Sequence, residues 1–265
     1  MNNNDILAYG PWENDEVNII FDNALVENDE KTKIYIKDIW SEYCKKRVKY
    51  YDSKLLRLSS WNKEDEILEL YTGITYYSHY IGTRDPVFKE RCLTGIRANP
   101  IGMTIIPITS DRNIVITKRS GKMEQNPNKL YFCGGYAEPK FDEKNSINLM
   151  NEALREVNEE LGANEFLYFN FIGLAYDPVY CHPELFSTAV VNVTKEQIIS
   201  TWSNAKDRDE SEFLLFLSLD DVCNHGFNKF NIEATWSYRV GVELFTTKVV
   251  NKISDYYNNK SEPFE

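Results

Sequence analysis

The stretch Arg155-Glu156-Val157-Asn158-Glu159-Glu160-Leu161-Gly162-Ala163 constrains this chain more than any other. Residues three and four apart are neighbours on an α-helix, so Glu156, Glu159 and Glu160 fall on one face. Like charges at that spacing repel and weaken the helix. The commoner fate of such a run is a solvated acidic face, but a cation among the three side chains reverses the penalty. Carboxylate oxygens are hard ligands suited to Mg2+ or Mn2+, ions that usually act together with substrate phosphates. Gly162 suits a C-terminal stop of that helix.

The chain has 265 residues, enough for one large domain or a domain with a sizeable extension. Hydrophobic residues make up 42%, with 14 phenylalanines and 17 tyrosines, so a real core is expected and wholesale disorder is excluded. The net charge of −11 argues against nucleic-acid or anionic-membrane partners, which call for basic patches. A polyphosphate substrate must therefore be met by local cations rather than by the global field. Five widely spaced cysteines without a C-x-x-C pair, and three scattered histidines, fit reduced thiols in a cytoplasmic protein better than disulfides or a zinc centre. The start, Met1-Asn2-Asn3-Asn4-Asp5, lacks the basic and apolar regions of a signal peptide, and no stretch approaches a membrane span.

Hydrophobic periodicity divides the chain into a part over 1–98 and a part over 99–265. In the first, after a ragged start, Val17 to Phe21 reads as a strand and 31–50 as a helix carrying Ile34, Ile36, Ile39, Trp40, Tyr43 and Val48. Lys54 to Trp61 and Ile67 to Thr72 read as a strand pair turning at 62–65. A short helix over Tyr76 to Tyr80 is broken by Gly82-Thr83-Arg84-Asp85-Pro86. In the second part, Gly102 to Ile108 and Ile114 to Arg119 read as strands joined at 110–113, and Leu130 to Cys133 as a short strand leading into the glycine pair Gly134-Gly135. The acidic helix runs from about Asn145 to Leu161, with Ile147, Met150, Leu154, Val157 and Leu161 as its buried stripe and Asn145 or Ser146 as its cap. Strands follow at Phe166 to Tyr176, Ser187 to Val193 and Phe213 to Leu217. Helices are expected at Thr194 to Trp202 and Ile232 to Val250, and the tail Asn258-Asn259-Lys260-Ser261 is expected to fray.

The acidic stretch resembles the second half of the Nudix box, Arg-Glu-apolar-x-Glu-Glu-x-Gly-apolar, and Gly134-Gly135 is similar to its opening. The resemblance implies an α/β (α+β) fold of the Nudix type, an α/β/α sandwich, here preceded by an N-terminal α+β extension packed on the catalytic domain. It also implies an Mg2+-dependent diphosphatase, with Mn2+ as a substitute, that cleaves nucleoside diphosphates linked to another group. By that resemblance Glu156, Glu159 and Glu160 hold the ion, one of them, most often the first, activates the nucleophile, and Arg155 buttresses a box glutamate. The first half departs from the pattern. Gly135 and Arg155 lie six positions further apart than in the usual form, and Ile147 stands where a glutamate is expected. Glu138, preferred, or Glu143 takes over its supporting role.

A further carboxylate often reaches the metals from a loop before a late strand in this family. Glu210 is the first candidate for it here and Glu212 the second, with Glu184 weaker. His182 reads as a loop or core histidine. Lys118 and Arg119, ending a strand just before the box, are placed to grip substrate phosphate, since an arginine fork matches phosphate oxygens. Arg97 and Arg84 are lesser candidates. Gly135 and Tyr136 lie beside the substrate.

Asp38-Ile39-Trp40, Tyr51-Asp52-Ser53-Lys54-Leu55-Leu56-Arg57-Leu58 and Gly73-Ile74-Thr75-Tyr76-Tyr77-Ser78-His79-Tyr80-Ile81-Gly82-Thr83 resemble the extension of the animal UDP-glucose-hydrolysing Nudix enzymes. Those enzymes also carry a Gly-Gly-x-x-Glu-Pro opening and an enlarged box loop, but a degraded box helix. The similarity spans residues 35 to 220 and implies hydrolysis of UDP-glucose or UDP-galactose, a small-molecule nucleotide sugar, to UMP and sugar 1-phosphate. Two other readings stand beside it: hydrolysis of ADP-ribose, a dinucleotide or a coenzyme A substrate, and a non-catalytic Nudix-like binding module.

Overall fold

The structure is a computed structural model that describes residues 5–46, 51–142, 146–227 and 230–260. Asn2, Asn3, Asn4, Val48, Glu143, Asn145 and Ser261 lie outside the described residues. The strands are β1 (Ile6–Trp12), β2 (Val17–Leu25), β3 (Lys54–Glu64), β4 (Ile67–Tyr76), β5 (Gly102–Ile108), β6 (Asn113–Arg119), β7 (Leu130–Tyr131), β8 (Phe166–Asp177), β9 (His182–Val191) and β10 (Ser211–Ser218). The helices are α1 (Glu30–Lys45), α2 (Tyr77–Thr83), α3 (Phe88–Arg91), α4 (Leu149–Leu161), α5 (Lys195–Thr201), α6 (Leu219–His225), α7 (Trp236–Lys248) and α8 (Val250–Lys260).

Among the described residues a mixed seven-stranded sheet runs in the order β1-β8-β9-β5-β6-β10, with β7 beside β6. Its neighbours are antiparallel except β5 and β9. Period-two alternation sends successive side chains to opposite faces. Met103 and Ile105 of β5 join one core with Val157 and Leu161 of α4, whereas Ile106 and Ile108 join a second with Leu244 and Phe245 of α7. Buried on both faces, β5 and β9 read as continuous apolar runs. The result is a mixed α/β fold, with α4 and α5 on one face of the sheet and α6, α7 and α8 on the other.

A second sheet, β2-β4-β3, comes from the first 98 residues. Leu56 and Leu58 of β3 and Leu68 and Leu70 of β4 share the α4-side core, so this sheet packs over the same face as α4. Backbone bonds tie the two parts together: Leu56 donates to Ala137 O (2.8 Å), Leu58 to Asn99 O (3.0 Å) and Ile101 to Leu56 O (2.8 Å). β1, also from the first 98 residues, is the edge strand of the larger sheet, paired with β8. Gly10-Pro11 conceals this strand in the sequence, yet proline is tolerated at a sheet edge.

Other elements also differ from the sequence expectations. α4 starts at Leu149 with Asn148 as its cap, accepting from Met150 N (3.0 Å) and Asn151 N (3.2 Å). Ser146 instead closes the preceding loop on Asp142. The helix therefore turns by about one residue, so that Leu149 and Ala153 are buried while Met150 and Leu154 are half-buried. β9 begins at His182 because its first half buries polar residues, His182, Glu184, Ser187 and Thr188, that hide a strand from apolar counting. The long C-terminal helix is two, α7 capped by Thr235 and then α8. The tail through Lys260 is helical rather than frayed, with Tyr257 buried and Asn258 accepting from Arg112 (3.2 Å). All five cysteines are free, and no described helix is long and apolar enough to cross a membrane.

Trp12 fixes β1 to the fold. It is 1% exposed, pairs with Phe171, and has Lys63 of β3 over its ring at 5.6 Å. Trp12→Ala is predicted to cost ~3–5 kcal/mol of unfolding free energy, the usual range for emptying a buried tryptophan site. A urea titration giving a loss well under ~1 kcal/mol would show that β1 is not integral to the core.

Candidate active site

An open cleft of about 500 Å3 lies at the start of β9, lined by Gly134 and Gly135 and bordered by α4. Gly134 has φ +150°, a conformation L side chains rarely adopt, and a Cβ there would lie 1.9 Å from Met103 O. At Gly135 a Cβ would meet Glu156 Oε1 and Oε2 at 2.7 and 2.8 Å. Met103 N donates to Gly135 O (2.8 Å) and Ile105 N to Cys133 O (2.8 Å), so the glycine pair runs as an extra rail along β5. The two glycines let backbone approach carboxylate with nothing between.

Arg155 organises the helix turn. Its Nη2 donates to Glu152 (2.9 Å) and Glu156 (2.7 Å), its Nη1 to Glu159 (3.0 Å) and its Nε to Glu152 (3.2 Å). Buried Glu152 also accepts from the backbone N–H of Glu138 (3.2 Å), which links α4 to the loop after the glycine pair. Glu152 is thus the supporting carboxylate that the sequence reading assigned to Glu138. The Glu138 side chain pairs with Lys140 (3.0 Å) at the cleft rim. Glu152 went unnoticed because attention fell on the position of Ile147, which is buried and bridges Phe141. Its signal was its place three residues before Arg155, on the same helix face.

Glu160 is buried, and its Oε1 accepts from Gly134 N (2.7 Å), while Tyr131 OH donates to Gly134 O (2.6 Å). Burial, aided by repulsion from Glu210 and Glu156, pushes the Glu160 pKa up to about 8 against the Gly134 hydrogen bond and Arg119. Burial pushes Glu156 up to about 7, with Arg155 opposing and Glu159 and Glu210 reinforcing. Glu210 is raised by burial, with Arg119 opposing and Asp207 and Glu159 adding to the shift. Burial also raises Glu159, but a hydrogen bond from Lys206 (2.6 Å) and the Arg155 charge outweigh it and hold the group below its ordinary value.

Glu156, Glu160 and Glu210 are therefore buried carboxylates that resist one another's ionisation. Among the described residues no set of three or more His, Cys, Asp or Glu side chains is gathered closely enough to hold a metal ion as it stands. Glu159 is engaged by Arg155 and Lys206 together.

Glu210 ends a single 3-10 turn just before β10 and lines the cleft together with Asp207, which the sequence reading missed. Arg119 also lines the cleft, its Nε on Gln125 O (3.1 Å) and its guanidinium 4.6 Å over the Tyr131 ring. Lys118 does not line it, since adjacent strand residues face opposite ways. It pairs instead with half-exposed Glu212 (2.6 Å), which removes both from the cluster. Arg97 bonds Thr83 O and stacks on Phe88, and Arg84 pairs with Glu124 over the Tyr80 ring. Tyr136, His182 and Glu184 do line the cleft. His182 and Glu184 form a buried pair (2.9 Å), two apart on one face of β9.

No protein-family model matches the chain. It is 25% identical over 195 residues to Nudix hydrolase 9 of Arabidopsis thaliana, an overlap of 59% of this chain and 63% of that relative. The chain thus spans just under two thirds of the relative's length. Among solved structures it is similar to a MutT NUDIX hydrolase from Burkholderia pseudomallei (17% identity, TM-score 0.36, 55% of this chain and 96% of that one). It is also similar to a MutT protein from Methanosarcina mazei Go1 (13% identity, TM-score 0.35, 62% and 96%). At the level of the superfamily, the chain is similar to Nudix hydrolases.

The raised carboxylates make a prediction about the metal-free protein. A folded-state pKa above the unfolded value means that the protonated form is favoured by folding. The associated stability is full below the unfolded value near 4.5 and is lost as pH rises towards about 7 for Glu156 and about 8 for Glu160. In chelator-treated protein, Tm is expected to fall between pH 5 and pH 8 more steeply than in Glu160→Gln, which keeps an acceptor for Gly134 but cannot ionise. Parallel Tm profiles for the two proteins would refute the electrostatic picture.

Proposed function

We propose that this chain is a divalent-metal-dependent hydrolase that splits the diphosphate of a nucleoside diphosphate linked to another group. The observation that carries this reading is the lining of one cleft by Glu156, Glu210 and Arg119 beside the Gly134–Gly135 backbone, with Glu160 buried next to them on Gly134 N–H. Hard oxygen donors that repel one another in a buried setting fit Mg2+, or Mn2+ in its place, because the ion relieves the repulsion. Glu156, Glu160 and Glu210 would hold it, with Glu159 close by but already committed to Arg155 and Lys206. When bound, the ion supplies charge neutralisation on the diphosphate and acidifies the attacking water.

The chain's own residues account for the rest of the chemistry. Arg119 is placed to donate to a phosphate oxygen from its terminal nitrogens, its Nε being held by Gln125 O. Glu156, kept near neutrality by burial and turned towards Gly135, is the carboxylate suited to accept the proton of the attacking water. Arg155 and Glu152 act one step back by holding Glu156 in place. Gly135 keeps the approach to Glu156 open, and Glu138 and Tyr136 stand at the cleft wall.

Within this class the reading is a UDP-glucose or UDP-galactose diphosphatase that yields UMP and sugar 1-phosphate. It draws on the motifs of the first 98 residues, and those residues supply Tyr43, Tyr51, Ser53, Leu55 and Tyr77 to the cleft lining. A substrate panel with Mg2+, analysed by chromatography of the products, tests it. UMP released from UDP-glucose supports the reading, AMP released from ADP-ribose alone moves the substrate elsewhere, and no turnover of any nucleotide leaves a binding module.

Two further outcomes are predicted. Glu160→Gln should lower kcat by about 10²- to 10⁴-fold, the range for losing one such group, while the protein stays folded by circular dichroism. Wild-type turnover in that variant would take Glu160 out of the chemistry. Chelation should abolish turnover and Mg2+ should restore it. Full rates in chelator would contradict a cation among the glutamates.

A further inference from the structure

A chain of hydrogen bonds outside the carboxylate cluster runs from the core to the cleft wall. Thr104 Oγ1 donates to Glu184 Oε1 (2.6 Å), and Glu184 Oε2 faces His182 Nε2 (2.9 Å). His182 Nδ1 meets Tyr80 OH (3.1 Å), Tyr136 OH donates to Tyr80 OH (2.8 Å), and Gln125 Nε2 donates to Tyr136 OH (3.3 Å). Thr104, Glu184, His182 and Tyr80 are buried.

The polarity of this chain follows from its members. Tyr136 OH donates to Tyr80 OH, so the Tyr80 proton is the one that faces His182 Nδ1, and the ring proton lies on Nε2 towards Glu184. Tyr80 must then donate its single proton to Nδ1, and its oxygen accepts from Tyr136. Tyr136 has no second proton, so only a donor can face its oxygen, and Gln125 must turn its amide nitrogen inward. The Gln125 backbone is held as well, because its carbonyl accepts from Arg119 Nε (3.1 Å) and the preceding Glu124 pairs with Arg84. Gln125 lines the cleft, and Nε2 is the amide atom engaged by Tyr136.

From this we propose that Gln125 reads the nucleoside end of the substrate, with Oε1 accepting a hydrogen bond from an N–H or O–H donor there. Tyr136, Tyr80, His182 and Glu184 are positioning residues that fix the face of the amide without touching the ligand. A free amide can rotate and exchange its two ends, whereas an amide held at its nitrogen by Tyr136 keeps Oε1 on a fixed side, where it rewards a ligand that offers a donor to that atom. The tyrosine rings Tyr43, Tyr77 and Tyr180 along the same cleft suit a planar base. Three donors on a uridine nucleotide have this chemistry, the imide N–H of the base and the ribose 2′- and 3′-hydroxyls.

The proposal rests on the nucleoside-diphosphate reading of the cleft, and its test separates the two. Calorimetric binding of UDP, N3-methyl-UDP, 2′-deoxy-UDP and 3′-deoxy-UDP to the full chain with Mg2+ is compared in wild type, Gln125→Met and Tyr136→Phe. In the wild type, one analogue is expected to bind about tenfold more weakly than UDP, the worth of one good hydrogen bond. The analogue affected identifies base or ribose as the donor. The difference should vanish in Gln125→Met and shrink to within about threefold in Tyr136→Phe, which still buries its ring but frees the amide. Equal discrimination in all three proteins overturns the proposal, as does none in the wild type. Gln125→Met lies in a surface loop, so it remains informative if Tyr136→Phe fails to fold. Long-range ¹H–¹⁵N spectra of the three histidines, assigned with His182→Gln, supply a readout that needs no nucleotide. A ring proton on His182 Nε2, with Nδ1 accepting from Tyr80, is expected. Protonation at Nδ1 reverses the chain and overturns the proposal. Turnover of UDP-glucose without Gln125-dependent discrimination keeps the hydrolase and rejects the reader. Discrimination without turnover does the opposite.

Discussion

Everything at the cleft depends on one guanidinium. Arg155 touches Glu152, Glu156 and Glu159 at 2.7–3.2 Å, and without it three carboxylates on successive turns of a half-buried helix would repel each other into solvent. The arginine does not neutralise the site evenly. It holds Glu159 down and leaves Glu156 and Glu160 raised, because those two are the more deeply buried. The asymmetry divides one acidic turn into a braced half and an uncommitted half, and the uncommitted half faces the glycine pair. Buried charge of one sign without a partner is costly, so a fold that retains it at a cleft is poised for a ligand of opposite sign.

The glycine rail turns this electrostatic tension into a site. Carboxylates that resist ionisation need firm contacts if they are to stay in place, and Glu160 is fixed by Gly134 N–H while Glu156 lies against Gly135. A side chain at Gly135 would push against Glu156 of the helix, and one at Gly134 against Met103 O of β5. The rail is itself held by β5 on one side and, through Ala137, by β3 on the other. The first 98 residues thus contribute to the geometry at the carboxylates as well as to the far wall of the cleft.

How much of this the sequence disclosed follows from the range of each interaction. The end of the acidic helix, its Gly162 stop and the β5–β6 hairpin are local patterns that stand where periodicity puts them, whereas the start of that helix lies later, at Leu149. Lys118 and Arg119 were taken together as phosphate ligands, but strand alternation allows only one of two neighbours to face the cleft, and the sequence does not say which. Arg119 is that one because β6 turns its other face to β10-side Glu212. Glu152 was hidden behind a family pattern that directs attention to the position of Ile147. The polar start of β9 was hidden because its burial is met by partners about 80 and 102 residues away in the chain, Thr104 for Glu184 and Tyr80 for His182. No window of sequence contains those partners.

The same long-range pairing separates two groups of side chains at one cleft. Carboxylates concentrate on α4 and the turn before β10, where burial and repulsion tune them. Tyrosines and the Gln125 amide, linked by hydrogen bonds to β9 and α2, line the cleft beside them. The two groups meet at Arg119, whose charge opposes the shifts of Glu160 and Glu210 and whose Nε holds the backbone of Gln125. A change in the loop over 119–129 is therefore felt on both sides, at the carboxylates through Arg119 and at the tyrosine wall through Gln125. Substrate choice can drift along that loop while Arg155 and its glutamates stay fixed, since none of the Arg155 contacts passes through it.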